Sequence, residues 1–133
     1  MKPFYSEIIL DHNSHPLNKG KQIKGAREFE VANASCGDKY QVFVLEQDGK
    51  IIDISFSGSG CALSQASADM MAEYLIGKRA KDIREYFEKF RKVIQTGKED
   101  QDLGDLNEFC IVSKMPMRAK CAELPWTFCN KID

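Results

Sequence analysis

The segment YQVFVLEQDGKIIDISFSGSGC, residues 40–61, decides the fold. Tyr40 to Leu45 and Ile51 to Phe56 are rich in β-branched and aromatic residues, the composition of a pleated, half-buried surface. Between them, Gln47-Asp48-Gly49-Lys50 carries an Asp-Gly pair that tolerates the positive φ of a tight turn, so the two runs are expected to pair as an antiparallel hairpin. In the second run Ile52, Ile54 and Phe56 alternate with Asp53 and Ser55, which places those three apolar side chains on one expected core face. The run ends in Ser57-Gly58-Ser59-Gly60, and Cys61 stands where strand gives way to helix. From there Leu63, Ala66, Met70 and Tyr74 recur at helical spacing until Gly77.

Working outward, Phe29 to Ala34 reads as a third strand, and residues 16–28, with Pro16, Asn18, Gly20 and Gly25, as an extended connection. Phe4 to Asn13 reads as a short amphipathic helix through Phe4, Tyr5, Ile8 and Ile9, closed by Asn13-Ser14-His15-Pro16. Downstream, residues 80–95 form a helical pattern through Ile83, Tyr86, Phe87, Phe90 and Ile94. A loop is expected over Thr96 to Gly104, then a short helix over residues 105–114. Pro116 suits the first turn of a last helix carrying Ala119, Ala122 and Trp126, which Pro125 would kink or end. The expectation is one α+β domain over residues 1–133: a small antiparallel three-stranded sheet with helices packed on it.

With 133 residues, 43% of them hydrophobic, the chain can build one core of its own. Nineteen basic and twenty acidic residues leave a net charge of −1 with both signs scattered, so neither nucleic acid nor a membrane surface is an expected partner. No stretch approaches the roughly 20 apolar residues that cross a bilayer. Met1 to Asp11 lacks the basic start, apolar run and cleavage site of an export signal, which makes a cytoplasmic location the expectation. Five cysteines, an odd number, are many for such a chain; in a reducing compartment they bind metal or do chemistry more often than they form disulfides.

Cys36-Gly37-Asp38 sets a thiol and a carboxylate two residues apart at the end of a strand, the spacing that returns both to one face, and Gly37 permits a tight turn between them. Cys61 enters at a helix start, where backbone N–H groups and the dipole favour thiolate. Cys121, after Lys120, would complete a tetrahedral site of three sulfurs and one oxygen. The C-x-x-C pairs of closed structural zinc sites are absent, and one hard carboxylate among soft thiolates is a point where a ligand can exchange. The same cysteines also fit small buried hydrophobes, and Asp38 fits a turn residue; spacing alone leaves both readings open. Elsewhere, Cys110 and Cys129 read as packed or partly exposed thiols, and Met70, Met71, Met115 and Met117 as core or gap-filling residues. His12 and His15, at i, i+3, straddle a breaker and suggest no second metal site.

The wording around the cysteines narrows this choice. Asn33-Ala34-Ser35-Cys36-Gly37-Asp38, Ile54 to Ser67 and Arg118-Ala119-Lys120-Cys121-Ala122-Glu123-Leu124-Pro125-Trp126 resemble the three cysteine blocks of the NifU/IscU/SufU family, as does the opening Phe4 to His12. Lys120 in place of the histidine of IscU types, the poor match of Met115 to Ala119 to their chaperone-recognition segment, and added material over Thr96 to Leu106 make it similar to the SufU branch. That resemblance implies zinc on Cys36, Asp38, Cys61 and Cys121, and a pyridoxal-phosphate-dependent, SufS-type cysteine desulfurase as partner. In this picture a desulfurase histidine displaces Cys36 from the metal, and Cys36 is the catalytic residue that takes up persulfide sulfur for downstream iron–sulfur assembly or apo-proteins. The IscU side of the resemblance implies a scaffold instead, with a transient iron–sulfur cluster on Cys36, Cys61 and Cys121. A zinc-stabilised interaction module is the third reading.

Overall fold

In the computed structural model, which describes residues 6–33 and 37–132, the hairpin at residues 40–61 forms the centre and one edge of a three-stranded antiparallel sheet. Its strands are β1 (Arg27–Asn33), β2 (Asp38–Gln47) and β3 (Lys50–Ser59), in the order β1-β2-β3. The turn between β2 and β3 carries Asp48 at φ 52° and Gly49 at φ 78°, the left-handed pair that matches strand twist in a two-residue hairpin. Along β2, Asp38, Tyr40, Val42 and Val44 face inward while the residues between them are more exposed.

The alternation expected on β3 breaks at its start. Leu45 pairs with Asp53 but Glu46 pairs with Ile51, so Ile52 is an extra residue in a β-bulge; Ile51 is buried in its place and Ile52 is 44% exposed. Beyond the bulge Ile54 and Phe56 point into the core as expected. The strands also run past their apolar stretches to Asp38 and Ser59, because the ladder continues through polar residues that no hydrophobic pattern marks.

Helix α1 (Glu7–Ser14) is capped by Ser6, whose Oγ accepts from the Ile9 N–H; the expected start at Phe4 and Tyr5 lies outside the described residues. Helix α2 (Ala62–Leu75) packs on β3, and α3 (Ile83–Thr96), ended by Gly97 at φ 76°, packs against the C-terminal segments. The segment expected as a short helix over 105–114 is a 3₁₀ stretch, Gly104–Val112. Helix α4 (Pro116–Glu123) passes into a second 3₁₀ stretch, Leu124–Asn130, because Pro125 has no N–H to continue the α pattern; Trp126 therefore belongs to that stretch and not to α4. There it is fully buried and stacks on Phe90 and Phe87, with ring centroids 4.7 and 6.2 Å away. Met70 and Met71 are core residues, but Met117, expected to fill the core, is 59% exposed in the first turn of α4.

Asp69, fully buried on α2, ties the N-terminal segment down. It accepts from the Asn18 backbone N–H at 2.8 Å and from the Asn18 side chain at 3.1 Å, and its other oxygen lies 2.6 Å from His12 Nδ1. His12 is thus spent on docking α1, while His15 is exposed beside Asp11. Asp69→Ala strands the Asn18 N–H and the imidazole, and is expected to cost about 1.5–3 kcal/mol, the range for hydrogen bonds to a charged group. Urea denaturation reads this directly, and a midpoint equal to wild type would refute it.

Burial also sets the alkaline limit of stability. It pushes the Cys129 thiol well above its ordinary 9.0 and the Tyr74 hydroxyl from 10.0 to about 12. Both folded groups hold their protons longer than the unfolded chain does, so stability is complete below pH 9 and falls as pH rises through the range from 9 to about 12. The slope of stability against pH in that window should be shallower in Cys129→Ala.

Candidate metal centre

Three chain segments converge at the end of the sheet where β2 begins and β3 ends. Asp38 is the first residue of β2, opposite Asn33 of β1. Gly37, at φ 75°, donates its N–H to the Asn33 carbonyl at 2.9 Å, so a turn precedes the strand. What aims Asp38 inward is its register on β2, on the same face as Tyr40 and Val42. Cys36 lies outside the described residues.

Cys61 is the N-cap of α2. Its backbone is extended, at φ −71° and ψ 169°, and its sulfur accepts from the Ser64 N–H at 3.5 Å, the geometry of a side-chain helix cap. Cys121 comes from α4. That helix is held to α2 by the hydrogen bond from Ser67 Oγ to the Ala122 carbonyl and to α3 by the ion pair of Arg91 with Glu123 at 3.0 Å. With these supports, a carboxylate oxygen of Asp38 and the sulfurs of Cys61 and Cys121 all lie within 4.8 Å of one another.

Sequence reasoning missed the floor of this site. Tyr40 is fully buried, and its hydroxyl lies 2.8 Å from Ser64 Oγ. Burial is the main cause that raises the Tyr40 hydroxyl to about 12; the nearby Asp38, Cys61 and Cys121 push the same way against the Ser64 hydrogen bond. Gly60 lies over the pair: a Cβ there would run into Tyr40 Oη, Ser64 Oγ and the Asp38 carboxyl carbon. The available signals were the two-residue spacing of Tyr40 from Asp38 and the position of Ser64 in the first turn after Cys61.

The donor set fits a thiophilic divalent ion. Asp38 is 6% exposed, yet its Oδ2 is buried with no hydrogen-bond partner among the described residues, a costly state for a carboxylate unless a cation faces it. Two sulfurs and one oxygen around zinc, with bonds of about 2.3 and 2.1 Å, require mutual separations of roughly 3.5 Å, which the observed clustering accommodates with small side-chain movement. The other cysteines stand apart: Cys129 is buried in the core, and the half-buried Cys110 thiol is pushed up chiefly by burial. Lys120 is exposed, in a shallow groove with Asn33 and Thr127.

Residues 4–121 match the model of the NifU-like N terminal domain. The chain belongs to the NifU-like N-terminal domain family. Among relatives of this NifU-like chain is the zinc-dependent sulfurtransferase SufU of Bacillus subtilis, 35% identical over 130 residues that span 96% of this chain and 87% of the relative. The iron–sulfur cluster assembly scaffold protein IscU of Thermotoga maritima is 36% identical over 128 residues, covering 94% and 89%. The crystal structure of FiSufU from Fervidobacterium islandicum superposes with a TM-score of 0.87 at 37% identity, covering 97% of this chain and 96% of that one. The NifU-like fold is thus the α+β arrangement expected from the sequence, a three-stranded antiparallel sheet under helices. No helix among its described residues is long and apolar enough to cross a membrane.

Proposed function

We propose that this protein serves iron–sulfur cluster assembly in the cytoplasm as a zinc-dependent sulfur acceptor, with Asp38, Cys61, Cys121 and Cys36 as the metal ligands and a SufS-type cysteine desulfurase as its partner. The observation that carries the reading is the convergence of two thiols on a buried carboxylate whose Oδ2 has no partner among the described residues. Zinc bound there would keep its thiolates deprotonated at neutral pH. Asp38, aimed inward by β2, is the hard ligand of the set, and Cys61 and Cys121 anchor the ion from two different helices.

Cys36 is the assigned nucleophile. Its thiolate attacks the outer sulfur of the desulfurase persulfide, the S–S bond in the desulfurase breaks, and a new S–S bond forms on Cys36. The desulfurase cysteine leaves as thiolate, so one sulfur atom moves with no net oxidation or reduction. Similarity to the Bacillus subtilis sulfurtransferase supports this reading, as does Lys120 beside Cys121. The Thermotoga maritima relative favours a second one, in which an iron–sulfur cluster is built on the same cysteines and passed on as cargo.

The expected result is one zinc per chain and faster cysteine turnover by a SufS-type desulfurase when this protein is added. Cys36→Ala should abolish the stimulation, and Asp38→Ala should weaken zinc binding. Iron and sulfide on the purified protein, with no stimulation of the desulfurase, would overturn the sulfur-acceptor reading in favour of the scaffold.

A further inference from the structure

We infer that His12 of α1 and Glu73 of α2 form a second cation site, which takes a divalent ion of the manganese or ferrous class in the cavity that α1, α2 and residues 101–106 line. The site uses none of the ligands of the thiol centre and stands apart from the sulfur-acceptor reading. Glu73 lies twelve positions along α2 from Cys61, about 18 Å at the helical rise.

Docking of α1 uses one edge of the His12 imidazole and leaves the other. Nδ1 lies 2.6 Å from Oδ2 of the fully buried Asp69. A carboxylate oxygen accepts, so Nδ1 carries the proton, and the neutral ring presents a lone pair at Nε2. Histidines that bind metals are commonly backed in this way, by a carboxylate that fixes the tautomer and the ring orientation. Asp69 is itself held firmly, since its Oδ1 accepts from the Asn18 N–H at 2.8 Å and from the Asn18 side chain at 3.1 Å. The ring is therefore set before any ion arrives.

The free edge meets a carboxylate. Nε2 is 3.7 Å from Glu73 Oε2, beyond hydrogen-bond reach. Two lone-pair atoms facing each other repel, and a cation between them turns the contact favourable; a proton on Nε2 would do so too, as a plain ion pair. Metal bonds of about 2.1 Å to both atoms need them roughly 3.0–3.4 Å apart, and the Glu73 side chain, 60% exposed, is free to close that gap. The cavity, of about 380 Å³, is lined by His12, Met70, Glu73, Tyr74, Asp105 and Leu106 among others. It has room for several waters of about 30 Å³ each to complete the coordination shell. Asp105 adds negative charge, whereas the Asp102 carboxylate is held by Lys89 at 2.6 Å. One imidazole, one carboxylate and water suit manganese or ferrous iron, in contrast to the thiol-rich set around Asp38. His15, 77% exposed beside Asp11, takes no part.

The test is a manganese(II) titration of the full chain, wild type against Glu73→Gln, with free ion read by EPR and the imidazole signals by NMR. The chain has two histidines, so the unused one is an internal control. Paramagnetic broadening should strike the His12 ring before the His15 ring, and bound ion should raise the Tm by tying α1 to α2. Glu73→Gln should weaken uptake at least about 10-fold, since even residues behind a ligand contribute that much, and should remove the rise in Tm. The exposed Glu73 is chosen because His12→Ala would also undock α1. Broadening of His15 together with or ahead of His12 would place the ion on the surface beside Asp11 and overturn the inference. Equal uptake by Glu73→Gln would do the same by placing it elsewhere, the thiol centre included. No uptake at millimolar manganese would reduce the contact to the plain ion pair of His12 and Glu73.

Discussion

Gly60→Ala is expected to weaken zinc binding by about 100-fold, the upper end of what residues behind a metal site contribute, while leaving the domain folded. In most settings this exchange is mild or stabilising, because alanine restricts the unfolded chain. Here the added methyl would meet Tyr40 Oη, Ser64 Oγ and the Asp38 carboxyl carbon together. Two of those groups belong to side chains that are fully buried, and the third to a carboxylate that is 6% exposed, so none can swing into solvent without opening the end of the sheet. The cheapest relaxation moves Asp38 or the start of α2, and either displaces a proposed ligand. Calorimetric zinc titration of Gly60→Ala beside Ser59→Ala, an exposed neighbour, isolates the effect. Equal affinities in the two variants would mean that the crowding at Gly60 does not position the site.

Trp126→Ala should bring the largest loss of stability, about 3–5 kcal/mol, because it removes a fully buried indole that stacks on Phe87 and Phe90. For a domain whose total stability is typically about 5–15 kcal/mol, that is a large part of the margin. The same residue holds the segment after α4, five positions from Cys121, so the cavity should loosen the metal centre as well as the core. Saturating zinc should recover part of the lost Tm by favouring the folded state that binds it. Thermal melts with and without zinc check both statements, and a variant that melts with wild type would show that the aromatic stack adds little.

Much of this was legible because it depends on local chemistry. The Asp-Gly turn, the β-branched and aromatic run that became β2 and the helical stripe after Cys61 each express a preference of neighbouring residues, and the structure follows them. The bulge at Ile52 was not legible, since it depends on pairing with Glu46 and Leu45 on the opposite strand, and the apolar Ile51-Ile52 pair fits either face. The exposure of Met117 likewise reflects how α4 is seated; nothing in a methionine's own neighbourhood announces it.

The candidate site divides in the same way. By itself the sequence supplied the proposed donors: Cys36-Gly37-Asp38, a cysteine at a strand-to-helix junction and a third cysteine after Lys120, with wording that placed the chain in a known family. Only the tertiary structure decided that Asp38, Cys61 and Cys121 meet within 4.8 Å, that Asp38 Oδ2 is buried without a partner among the described residues, and that Tyr40 and Ser64 form the floor beneath. The reason is physical: a ligand's identity belongs to its side chain, whereas its distance from a residue 60 positions away is set by sheet register and helix packing, which involve the whole core at once.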